Sequence, residues 1–82
     1  MIVSYRGSYD SVYECIYFYI YVDEVQVASL CRSVYDPSYG WYILASGRLR
    51  KEDIQACLQA LSDAESGKFD DNLKFALETM KK

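Results

Sequence analysis

Few residues in this chain are of types that could carry chemistry. There is no histidine among the 82 residues, which removes imidazole acid–base catalysis, Ser-His and Cys-His nucleophile pairs and histidine-containing zinc sites together. The three cysteines, Cys15, Cys31 and Cys57, have no C-x-x-C spacing and no second ligand type to complete a metal site. Neither a glycine-rich phosphate loop nor a G-x-S-x-G elbow occurs. Asp63, Glu65, Asp70 and Asp71 read as helix-end and solvated acids rather than cation ligands. The expectation is a non-enzymatic protein with no metal and no cofactor.

Tyrosine is the residue present in excess, with nine copies, and its spacing carries the argument. Across residues 11–22, odd positions hold Tyr13, Tyr17, Tyr19 and Tyr21 while even positions hold Val12, Ile16, Phe18, Ile20 and Val22. That period of two predicts a long strand with one aliphatic face and one tyrosine ladder. Glu14 falls on the aliphatic side, near the strand end, where it reads as structural. A tyrosine buries about 150–250 Å², so four of them with apolar neighbours make a patch on the order of 600–1,000 Å². Tyrosine is also favoured in binding hot spots, since it combines area, a polar tip and little rotamer entropy.

The elements that must hold this ladder follow from punctuation and composition. Residues 1–5 predict a short strand ending in a turn at 7–10. Asp23 and Glu24 predict a tight reversal, and residues 25–35 a returning strand. Asp36-Pro37-Ser38-Tyr39-Gly40 has turn chemistry, and residues 41–46 predict the next strand. If Asp23 and Glu24 form a two-residue turn, Val25, Val27 and Cys31 join the aliphatic face. Gln26, Ala28, Leu30, Arg32 and Val34 then join the tyrosines, with Tyr42 and Leu44.

Near Gly47 the composition changes from β-branched and aromatic to Leu, Ala, Lys, Glu and Gln, the change from strand to helix formers. Ile54, Cys57, Leu58 and Leu61 predict an amphipathic helix over 50–65 that Gly67 stops. Phe69, Leu73, Ala76, Leu77 and Met80 predict a second, with Asp70 and Asp71 at its start and Lys81 and Lys82 at its end. Phe75 lies on that helix's polar side. The fold class is therefore α+β: one domain, 1–82, with a three- to four-stranded antiparallel meander over 1–47 and two helices over 48–82 packed on one face. Two helices cover one face only, which leaves the tyrosines open.

With 51% of residues apolar and 26% charged, the chain belongs to the globular class. Its net charge of −3 resides in residues 1–47, which argues against nucleic acid as a ligand. The longest apolar run, residues 15–22, is too short for a membrane span. An odd cysteine count argues for reduced thiols and a cytoplasmic setting, the host's cytoplasm if the chain is virus-encoded.

These readings converge on a partner protein or protein complex. Tyr17, Tyr19 and Tyr21 are the expected anchors, Tyr13, Asp23, Glu24, Arg32 and Tyr42 the expected rim, and Phe75 a second contact point. An inhibitor or antagonist that occupies another protein's surface fits this description. Mobile genetic elements encode many such proteins, including anti-CRISPR and other phage anti-defence proteins, a likeness of class with no shared motif. The alternative is a structural homodimer in which two tyrosine faces stack, with function on the helices. Strand addition at the edge formed by residues 41–46 would place the interface elsewhere.

Overall fold

The computed structural model describes residues 1–34, 37–45 and 47–80. Four strands, β1 (Val3–Asp10), β2 (Cys15–Val22), β3 (Val25–Ser33) and β4 (Tyr42–Ala45), form one antiparallel sheet in the order β1-β2-β3-β4. A single turn of 3-10 helix at Pro37–Tyr39 leads into β4, and two helices, α1 (Lys51–Glu65) and α2 (Asp70–Met80), complete the chain. The α+β meander expected from the sequence is the observed fold. Tyr35, Asp36, Ser46, Lys81 and Lys82, on which parts of the expected strand ends, turn and helix end fall, lie outside the described residues.

The first hairpin is longer than expected. β1 runs through Gly7 to Asp10, and the reversal falls at residues 11–14, where the Asp10 carboxylate accepts the Val12 and Tyr13 backbone N–H groups at 2.8 and 3.1 Å. Gly7 is not a turn residue. It pairs with Phe18, and a β-carbon added there would come within 3.3 Å of the Phe18 ring, so its role is close approach within a strand. Glu14, expected on the aliphatic face, instead sits in the reversal with a φ of 54°.

The second hairpin is the expected two-residue reversal. Asp23 and Glu24 both have positive φ, 50° and 70°, the handedness that matches strand twist. Asp23 is tied to the neighbouring strand: its carboxylate accepts the Ile2 N–H at 2.8 Å and its own N–H donates to the Ile2 carbonyl at 2.8 Å.

Beyond this turn the register changes. Val22 pairs with Val25 and Tyr21 with Gln26, but Ile20 pairs with Ala28, so Val27 is an extra residue. This β-bulge inverts every later β3 assignment. Ala28 and Leu30 are buried on the aliphatic face, and Cys31 lies opposite Tyr17 on the tyrosine face. The expected placements of Ala28, Leu30, Arg32 and Cys31 are therefore corrected by one residue of slip.

The core lies between the sheet and the helices. Ile16, Phe18, Ile20, Val22, Ala28, Leu30, Val34 and Trp41 meet Ala56, Cys57, Ala60, Ala64, Phe69 and Ala76. Its aromatic centre is Phe69, stacked on Phe18 with centroids 4.3 Å apart, edge-on to Tyr5 at 5.6 Å and tilted against Trp41 at 6.0 Å. α1 presents Asp53, Ala56, Cys57, Ala60 and Ala64 inward. Ile54 and Leu58, expected in that stripe, are 46% and 62% exposed, because the small alanine row lets the helix approach the sheet closely. At the helix start Asp53 accepts the Arg50 N–H at 3.0 Å and pairs with its guanidinium at 3.2 Å. That contact holds the Asp53 carboxyl below its ordinary range.

Candidate functional site: an open tyrosine-lined sheet face

Strand alternation and register decide what shares the face opposite the helices. β2 contributes Cys15, Tyr17, Tyr19 and Tyr21; β1 places Ser4, Arg6, Ser8 and Asp10 beside them; β3 places Gln26, Ser29, Cys31 and Ser33 on the other flank; and β4 adds Tyr42 and Leu44. A central row of rings is thus bordered on both sides by small polar side chains. Tyr17, Tyr19 and Tyr21 are half-buried. The Tyr17 and Tyr19 rings stand nearly parallel, 5° apart, with centroids separated by 6.4 Å.

Beneath the rings the environment is dry enough to move ionisation. Cys31 has no exposed surface, and burial, with Cys15 nearby, pushes its thiol up to about 11. Burial first, then Cys15 and Asp10, pushes the Tyr17 hydroxyl up to about 12. Burial likewise raises Tyr42. These groups are neutral at pH 7 and serve as hydrogen-bonding and apolar surface.

At one end the row runs into a depression of about 540 Å³ lined by Tyr13, Cys15, Ser33, Tyr39 and Tyr42. Tyr13 is not on the strand; it occupies the β1–β2 reversal, 74% exposed. The Cys15 thiol donates to the Tyr13 carbonyl at 3.3 Å, which fixes the depression's floor to its rim. At the other end stand Asp23 and Glu24, exposed at the turn.

Arg32 does not belong to this face. It pairs with Ile16 on the helix side, with its guanidinium 5.8 Å from the Trp41 ring centroid. Neither its Nε nor Trp41 Nε1 has a hydrogen-bond partner among the described residues. Phe75, 71% exposed, is on the helix side too, over Gly7, Ser8 and Tyr9. The expected site is therefore brought together for Tyr17, Tyr19, Tyr21, Tyr42 and Tyr13, with Asp23 and Glu24 at its far end, and separated from Arg32 and Phe75.

Sequence reasoning missed Ser4, Arg6, Ser8 and Asp10 because β1 was expected to stop before Gly7. The alternation of Val3, Tyr5 and Tyr9 was the signal that the strand continues. It also missed Tyr39, whose turn conformation puts it beside Tyr13.

Among the described residues, no His, Cys, Asp or Glu cluster could hold a metal ion, and no helix is long and apolar enough to cross a membrane. Compared with protein-family models, with curated proteins and with solved structures, the chain finds no match in any of the three.

Proposed function

We propose that this protein is a small non-enzymatic binding protein, an inhibitor or antagonist that docks its tyrosine-lined sheet face onto a partner protein and occludes it. The observation that carries the reading is the row Tyr17, Tyr19 and Tyr21 on a face bearing none of the core that the helices cover. It extends through Tyr42 and Leu44 to an aromatic depression. A row of polar-tipped aromatic rings that no helix covers suits a docking patch better than a solvated face. A cytoplasmic site of action, in a host cell if the chain is virus-encoded, is supported by three unpaired cysteines.

The test uses Tyr19→Ser beside wild type. Both are checked by circular dichroism and thermal melting, then used as bait in affinity capture from cell extract. The expected result is an unchanged fold and the loss of a captured protein that wild type retains. Equal capture by both would remove the face from the binding reaction. A wild-type dimer that Tyr19→Ser dissociates would favour stacking of two tyrosine faces instead.

A further inference from the structure

The two edges of the sheet are not alike. β4 is four residues long, whereas β1 is eight and carries neither the proline nor the lysine with which sheet edges are commonly blunted. The bond from the Asp23 N–H to the Ile2 carbonyl, carried along the unbroken β1–β2 register, fixes where the backbone of β1 points. Ser4, Arg6, Ser8 and Asp10 turn their N–H and C=O groups toward β2; Val3, Tyr5, Gly7 and Tyr9 turn theirs off the sheet. Arg6, Gly7, Ser8 and Tyr9 are all exposed.

The sequence along this edge, Arg6-Gly7-Ser8-Tyr9-Asp10, is complementary to itself when reversed. We propose that β1 pairs antiparallel with β1 of a second copy about a two-fold axis at Ser8. Arg6 then stands opposite Asp10 of the second copy, twice, in non-hydrogen-bonded positions where side chains come closest. Arg6 has no ion pair among the described residues. Asp10 uses one carboxylate oxygen for the turn, which leaves the other for the arginine. Gly7 and Tyr9 exchange backbone bonds with Tyr9 and Gly7 of the second copy, large residue against small. A register centred on Arg6 would oppose two cations, and one centred on Gly7 would leave both charges without a directly facing partner.

The helix side agrees with this choice. A hollow of about 340 Å³ lies over the same three β1 residues, lined by Gly7, Tyr9, Phe18 and Phe75 among others. The two-fold axis runs through the sheet, so both helix layers fall on one side and both copies of Phe75 flank the junction. The tyrosine faces then lie side by side on the other surface, uncovered and doubled in extent.

Light scattering behind a sizing column, over a concentration series, tests this on wild type, Arg6→Glu and Tyr19→Ser. The expected species is a dimer whose dissociation constant rises roughly tenfold or more in Arg6→Glu, which sets like charges opposite one another twice, and holds in Tyr19→Ser. Ser8→Cys in a Cys15→Ser background gives the register directly, since paired positions at a non-hydrogen-bonded site fall within disulfide reach. Mild oxidation should convert it to a covalent dimer. A monomer at every concentration, a dimer dissociated by Tyr19→Ser but not by Arg6→Glu, or a dimer that Ser8→Cys does not cross-link would each overturn the proposal. The first of these would also exclude stacking of two tyrosine faces, the second would favour it, and the third concerns the β1 register alone.

Discussion

Cys31 and Tyr17 face one another across β2 and β3, and both are held neutral by burial, with the thiol pushed to about 11 and the phenol to about 12. Each loses its proton more readily in the unfolded chain, where the thiol ionises near 9.0. Their contribution is therefore intact below about pH 9 and is lost as pH rises through the folded values. Melting temperature should fall between pH 9 and pH 12, and Cys31→Ala should flatten the part of that fall below pH 11; an unaltered slope would place the proton release elsewhere. Alkylation followed by mass spectrometry should modify half-buried Cys15 in the folded protein well before Cys31 or Cys57, which are buried. At Arg32 two terms oppose each other: an Nε donor without a partner, costing about 1–3 kcal/mol, and a guanidinium–indole contact contributing about 0.5–2 kcal/mol. Arg32→Met should consequently change stability by less than about 1 kcal/mol in denaturant titration, and leave binding through the opposite face unaltered.

At the scale of elements, α1 shows what hydropathy alone conceals. Of the expected stripe Ile54, Cys57, Leu58 and Leu61, Cys57 is buried and Leu61 packs against the core, but Ile54 and Leu58 face solvent, and the helix docks chiefly through Ala56, Ala60 and Ala64. Alanine is neutral enough in a hydropathy pattern to pass as spacer, and only the closeness of the sheet selects it. Ala60→Leu should cost about 1–3 kcal/mol by overpacking, whereas Leu58→Ala should stay within about 0.5 kcal/mol; urea titrations of the pair distinguish the docked face from the expected one. The strands were legible wherever alternation was uninterrupted, as from Ile16 to Val22. They were misread at Gly7, where a glycine that makes room for Phe18 looks like a turn, and at Val27, where one additional residue reverses the alternation. The tyrosine row was legible because it lies on a strand free of both irregularities. Arg32 was misassigned because it lies beyond the bulge.

For the molecule as a whole, the small core makes single contacts decisive. A chain of this length has on the order of 3–5 kcal/mol of net stability, and Phe69, just before α2, packs its ring against Phe18, Tyr5 and Trp41. Phe69→Ala should cost about 3–5 kcal/mol and leave the protein largely unfolded at 25 °C by circular dichroism. In wild type, α2 amides should exchange with solvent before those of β2 and β3, which hold the fully buried Ile20, Val22 and Leu30. The bulge at Val27 has a different consequence, one for the heredity of this sequence. Because the bulge holds one residue more than regular pairing with β2 needs, an in-frame loss of the Val27 codon would leave Ala28 opposite Ile20 and Ser29 opposite Tyr19 in an unbroken ladder, so residues 28–33 would keep their sides of the sheet. In a comprehensive deletion scan, codon 27 should therefore be tolerated better than codons 30–32, whose loss removes a paired residue and shifts those between it and the bulge onto the other face, while codons 11–13, in the reversal before β2, should tolerate both loss and gain.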